Sequence, residues 1–306
     1  MAQDTGTHRY VDDPRNADVL ISVNGELLPR DRAVVSVFDS GFIMGDGVWE
    51  GLRLHNGRLA FLDQHLRRLW QGAKAIAMDI GMTREALTAE IERTVAANGM
   101  ESGVHIRLMV TRCIKATPYQ DPRVNIGPPT VVIIPEWKTP AEREGGVSLF
   151  TVHVRRGAPD VQDPMLNSHS KLNCITACIQ AARAGADEAL MLDPHGFVAT
   201  CNSTHFFIVR DGQLWTSTGR YCIHGITRGN VLRLARENGM EALEKDFSLT
   251  EVYDADEAFI TGTFAGLTPV VSVDGRTIGE GTPPGPVVTR LKGLYRDLVE
   301  PECPAP

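Results

Sequence analysis

The stretch 196-GFVATCNSTHFFIV-209 decides how this chain folds. It turns continuously apolar from Phe206 to Val209, and it lies between two turn dipeptides, His195-Gly196 and Asp211-Gly212. An Asn-Gly or Asp-Gly pair supplies the positive φ of a two-residue turn, so a short apolar run closed by one reads as an arm of an antiparallel hairpin. The same punctuation recurs at Asn24-Gly25, Asn56-Gly57 and Asp274-Gly275. Three or more tight hairpins, and abundant antiparallel sheet, are therefore expected.

Helical patterns lie between these runs. Residues 63-DQHLRRLWQGAKAIA-77 place Leu66, Leu69, Ala73 and Ile76 on one face, and 83-TREALTAEIERTVAANG-99 opens at an N-cap threonine and stops at a glycine. The pattern returns at 227-TRGNVLRLARENG-239 and 286-PVVTRLKGLYRDLVE-300. Strands followed by helices, twice over, give an α+β class with two halves. Residues 1–18 read as a polar tail, 19–135 as a small N-terminal domain, 136–146 as a linker around 135-PEWKTPAEREGG-146, and 147–306 as a larger C-terminal domain.

The 306 residues suffice for two buried cores, and 42% hydrophobic with 23% charged residues is an ordinary globular composition. A net charge of −7 without a basic run argues against nucleic acid or an anionic membrane surface, and leaves small molecules as expected partners. No apolar stretch reaches bilayer length and the first twenty residues are polar and acidic, so a cytoplasmic protein is expected. Six cysteines without C-x-x-C spacing suggest neither zinc nor disulfides, and no metal site is expected. Cys174 and Cys178, one helical turn apart, read as small buried residues. The run 45-GDGVWEG-51 has the wrong spacing for a dinucleotide loop, and Walker A, H-E-x-x-H and G-x-S-x-G are missing.

Lys171 is the sole lysine between residues 138 and 245, and it stands in 167-NSHSKLNCITACIQAARAG-185 where a polar loop gives way to an apolar helix. Downstream, 225-GITRGN-230 opens a helix with glycine and threonine, an arrangement that leaves backbone N–H groups and a hydroxyl to hold a phosphate. A second Gly/Thr loop, 261-TGTFAGLTPV-270, follows the apolar run 258-AFI-260.

Together with 45-GDGVWEGLR-53, these stretches resemble the class IV, or fold type IV, pyridoxal-phosphate aminotransferases, from about residue 19 to residue 300. That group includes branched-chain aminotransferases, D-amino-acid transaminases, (R)-amine transaminases and aminodeoxychorismate lyases. The resemblance implies a homodimer of two-domain subunits, with the cofactor at the domain interface and most of its contacts made by the C-terminal domain. It gives Lys171 the Schiff base and proton shuttle. Arg68, the amides of Ile226 and Thr227 after the cofactor-binding Gly225, and the Thr263 hydroxyl after Gly262 take the phosphate. Arg107, in 105-HIR-107, aligns with an arginine near the substrate carboxylate, where a bidentate grip is available, or is an edge-strand charge. Trp49 and Phe42 are pocket walls by the same alignment or core aromatics, and Phe264 and Ala265 line the substrate side.

Three departures accompany the resemblance. Thr200 stands where the aminotransferases carry a glutamate that keeps a proton on the pyridine nitrogen. A threonine offers one hydrogen bond and cannot balance a buried pyridinium charge. The segment from Lys171 to Gly185 is about one helical turn shorter than in the relatives, and Thr176 stands where a branched-chain enzyme has tyrosine. His205 replaces a frequent asparagine, as a hydrogen-bonding support or a satisfied buried histidine.

The reading that follows is a pyridoxal-phosphate aminotransferase moving an amino group between an amino acid, branched-chain or otherwise hydrophobic, and a 2-oxo acid. The alternatives are a lyase of the aminodeoxychorismate or β-eliminating kind, an (R)-amine transaminase, and a non-catalytic relative that binds the cofactor.

Overall fold

The computed structural model describes residues 6, 7, 11–138 and 145–302. The chain forms two compact units, one built from residues 11–138 with 166–170, the other from residues 145–165 with 171–299. Most of the expected linker, residues 139–144, lies outside the described residues, whereas Glu136 and Trp137 end a strand. Much of the expected tail and Cys303 also lie outside them.

The first unit contains β1 (Leu20–Val23), β2 (Glu26–Pro29), α1 (Ser40–Met44), β3 (Gly47–His55), β4 (Arg58–Leu59), α2 (Leu62–Ala75), α3 (Arg84–Ala97), β5 (Val104–Thr111), a small hairpin of β6 (Ile114–Lys115) and β7 (Asn125–Ile126), and β8 (Thr130–Trp137). Its six-stranded sheet runs β2-β1-β8-β5-β3-β4 with every pair antiparallel. Alternation sends Val48, Leu52 and Leu54 of β3 and Val104, Ile106, Leu108 and Val110 of β5 to one face. Leu66, Leu69 and Ala73 of α2 and Leu87 and Ile91 of α3 cover it. The Thr83 hydroxyl accepts from the Ala86 amide and starts α3 where the sequence places an N-cap.

The second unit contains β9 (Val147–Thr151), α4 (Pro159–Gln162), α5 (Leu172–Arg183), β10 (Glu188–Leu192), β11 (Val198–Cys201), β12 (His205–Arg210), β13 (Gln213–Thr216), α6 (Ile226–Glu237), β14 (Ala242–Glu244), α7 (Leu249–Tyr253), β15 (Glu257–Gly262), β16 (Gly266–Val273), β17 (Arg276–Thr277) and α8 (Pro286–Glu302). The sheet runs β11-β10-β9-β16-β15-β12-β13-β14, with β17 on β16. Strand β12 is buried on both faces, which is why the opening stretch reads as a continuous apolar run. Phe206 and Ile208 join Trp215, Phe247 and Ile260 on one side. Phe207 and Val209 join Phe259, α6 and α8 on the other, with the Phe207 and Phe259 rings stacked at 4.9 Å.

Four of the five turn dipeptides close two-residue hairpins with positive φ at both positions: Asn24-Gly25, Asn56-Gly57, Asp211-Gly212 and Asp274-Gly275. His195-Gly196 does not. There Asp193 Oδ1 accepts from the His195 and Phe197 amides and shapes a longer loop between Leu192 and Val198. The cysteine reading also needs correction, because α5 buries only the Ala177–Ala181 stripe, leaving Cys174 half-buried and Cys178 exposed.

Candidate active site

In the first unit Glu50 stands among the apolar residues of the core face of β3, fully buried. Such a carboxylate needs partners, and α2 presents two, one turn apart. Arg68 donates from Nε to Oε1 at 2.7 Å and from Nη2 to Oε2 at 2.6 Å, and His65 Nδ1 meets Oε2 at 2.7 Å. Burial raises the Glu50 carboxyl, but the hydrogen bonds from Arg68 and His65 outweigh it and hold the group below the usual carboxylate range. Burial holds His65 below its ordinary value, and because a carboxylate can only accept, Nδ1 carries the proton of this contact. The bidentate grip fixes one edge of the Arg68 guanidinium.

On the opposite face of the same sheet, the Arg107 guanidinium stacks over the Trp49 ring at 3.8 Å from its centroid. Burial lowers Arg107 from its ordinary value, against the pull of Glu136. Strand β5 has β3 on one side and β8 on the other, so the edge-strand reading of Arg107 fails. Phe42 is 70% exposed, which removes it from any core.

Residues 166–170 belong to this first unit and run along β3. Asn167 Nδ2 donates to Trp49 O at 2.6 Å, the Trp49 amide donates to Asn167 O at 3.0 Å, and Trp49 Nε1 donates to Ser168 O at 3.1 Å. The His169 amide donates to Gly47 O, and Val48 bridges Ser168. Lys171 follows as the half-buried N-cap residue of α5, in the second unit.

Thr200 of β11 is buried, and its hydroxyl donates to Thr204 O at 2.8 Å. That proton is engaged, so the outward-facing capacity of Thr200 Oγ1 is that of an acceptor. Glu188, 1% exposed, accepts through Oε1 from the Ser203 amide, Ser203 Oγ and Thr204 Oγ1, and through Oε2 from Thr7 Oγ1. Its hydrogen bonds thus tie down the turn after Thr200.

The second Gly/Thr region is built around His205. Its Nε2 meets Ile223 O at 2.7 Å, and a Cβ at Gly225 would collide with the imidazole. Gly225 is thus required by close approach, and its φ of −65° makes no demand of its own. It caps α6 without a side-chain hydrogen bond, leaving the first-turn N–H groups of Ile226 and Thr227 directed at whatever anion the helix start receives. Thr261, paired with His205 across β12 and β15, is 1% exposed and its hydroxyl has no partner. Thr227 Oγ1 lies 3.4 Å from Tyr295 Oη. Thr263, Phe264 and Ala265 form the half-buried turn between Gly262 and Gly266. These features fit a phosphate group. Glu50, His65 and Thr261 escaped the sequence reading, although an acid among the alternating apolar residues of β3 is a signal that a buried partner exists.

Among the described residues no group of three or more His, Cys, Asp or Glu is placed to hold a metal ion, and no helix is long and apolar enough to cross a membrane.

The chain is 42% identical over 288 residues to branched-chain-amino-acid aminotransferase-like protein 2 of Arabidopsis thaliana, covering 94% of this chain and 51% of that protein. It thus spans about half the length of that relative. It is 39% identical to a putative branched-chain-amino-acid aminotransferase of Methanocaldococcus jannaschii, over 91% of this chain and 96% of the other. A T.th. branched-chain amino acid aminotransferase, solved with N-(5'-phosphopyridoxyl)-L-glutamate, superposes with a TM-score of 0.86 at 33% identity, covering 94% of this chain and 96% of that one. The model of the amino-transferase class IV family matches residues 47–273. The chain belongs to that family of pyridoxal-phosphate enzymes of fold type IV.

Proposed function

We propose that this chain, as a homodimer, transfers an amino group between an amino acid with a branched or otherwise hydrophobic side chain and a 2-oxo acid. The observation that carries the reading is the start of α6, where uncapped amides at Ile226 and Thr227 adjoin a fold region with a buried, unpartnered hydroxyl at Thr261. Bound there by its phosphate, pyridoxal phosphate supplies an aldehyde for the amino group and a ring that draws electrons from the α-carbon. Arg68, held rigid by Glu50, has the same anion-binding task by the resemblance, as does the Thr263 turn. Arg107, stacked over Trp49, meets the substrate carboxylate with a planar fork. The exposed apolar side chains of Val34, Val37 and Phe42 support a surface covered by a second copy.

The test is a half-reaction on cofactor-loaded protein, with L-amino acids, D-amino acids and (R)- or (S)-amines added singly and no acceptor present. Pyridoxamine phosphate formed in proportion to protein, for one donor class, is the expected result. None with any donor sinks the proposal. A second reading, elimination, draws on the engaged hydroxyl of Thr200, which leaves the ring nitrogen without a carboxylate at that position. Ammonia and a 2-oxo acid released without acceptor would mark it.

A further inference from the structure

We infer that this chain has no lysine at the place from which its relatives bind pyridoxal phosphate covalently, that Asn167 stands there, and that the cofactor is held by noncovalent contacts alone. The inference rests on the reading that the chain takes pyridoxal phosphate, and concerns only the covalent bond.

By the resemblance, the segment from Lys171 to Gly185 is about one helical turn shorter than in the relatives, and α5 shows no interruption. It runs unbroken from Leu172 to Arg183, and its end is satisfied, the Ala184 amide donating to Gln180 O and the Gly185 amide to Ala182 O. One turn is about 3.6 residues, so restoring it moves the lysine position back from Lys171 to Asn167 or its neighbour. A one-residue error changes nothing, because no lysine occurs between Lys138 and Lys171.

The contacts point the same way. The Arg107 guanidinium lies over the Trp49 ring, and the resemblance gives this pair the pocket wall and the carboxylate-binding group. Three hydrogen bonds lay the chain against Trp49, and they involve Asn167 and Ser168. Asn167 is buried at 8% exposure, whereas Lys171 comes after this segment, at the cap of α5.

The chemistry then differs from that of a lysine. The nitrogen lone pair of an asparagine amide is delocalised into its carbonyl, so Asn167 serves as a hydrogen-bond donor and acceptor and cannot add to an aldehyde. An amine substrate would condense with the cofactor's free aldehyde, losing water, with no lysine imine to displace.

The experiment loads the full chain with pyridoxal phosphate, measures the amount retained after desalting, reduces with borohydride and maps the peptides by mass spectrometry. Cofactor retained with no pyridoxyl group on any lysine supports the inference. One pyridoxyl group per chain on Lys171 overturns it. The Asn167→Lys variant is treated in parallel and is decisive where the wild type retains no cofactor. Attachment at residue 167 in the variant supports the inference, and attachment at Lys171, or at neither residue, overturns it. Failure of the wild type to retain cofactor counts against the proposed function, which the site of attachment does not measure.

Discussion

Glu50→Gln tests the most buried charge of the first unit. Glu50 is 0% and Arg68 18% exposed, so their interaction is only slightly screened by water. Three hydrogen bonds converge on the carboxylate, two from Arg68 and one from His65. Glutamine keeps the shape but has one acceptor oxygen, so its NH2 must face an N–H of Arg68 or of His65. Each charge-assisted bond contributes about 1.5–3 kcal/mol, and the variant loses at least one while weakening the others. A net loss of about 3 kcal/mol at pH 7 follows, lowering Tm by roughly 6–12 °C at the sensitivity of a domain of this size. The sign with pH is fixed by the depressed Glu50 carboxyl: its contribution is complete above the unfolded value of about 4.3 and is lost as pH falls through the lower folded value. Wild type and variant should therefore converge in acid. Urea unfolding at neutral and acidic pH measures both. A variant within about 0.5 kcal/mol of wild type at pH 7 would refute a buried ion pair, because that is the scatter of neutral surface substitutions.

Gly225→Ala should destabilise by about 1–3 kcal/mol, since its methyl group meets the imidazole of His205. Thermal unfolding should show the loss partly recovered in Gly225→Ala with His205→Ala, as coupled neighbours are not additive. Thr261→Val removes a buried hydroxyl that has no partner, so stability should hold or rise by about 1 kcal/mol while phosphate affinity, read by titration calorimetry, falls. Phe207→Ala opens the core beside Phe259 and should cost about 3–5 kcal/mol by chemical denaturation.

The parts of the candidate site were legible to different degrees. The Gly/Thr opening of α6 stands out because a helix start is a local signal, and it marks Gly225 without reference to its neighbour His205. Its reason is tertiary, a contact between residues about twenty positions apart. Glu50 is not legible in the sequence, because its partners, 15 and 18 positions away, cannot be inferred from strand alternation. Thr200 is legible as one of three departures, but the direction of its hydrogen bond to Thr204 O is not, since a hydroxyl can donate either way.

What the sequence alone determined is the set of elements whose energetics are local. Asn-Gly and Asp-Gly hairpins, the Thr83 cap and the apolar run of β12 follow from backbone φ preferences and from the pattern of apolar side chains. Only the tertiary structure decided which buried polar groups satisfy one another. Asn167 and Trp49, 118 positions apart, are joined because the buried Asn167 amide must find a partner, and β3 supplies the Trp49 carbonyl. Local pattern cannot specify that choice, since it depends on which strand the chain returns to, and on that return turns the role left to Lys171.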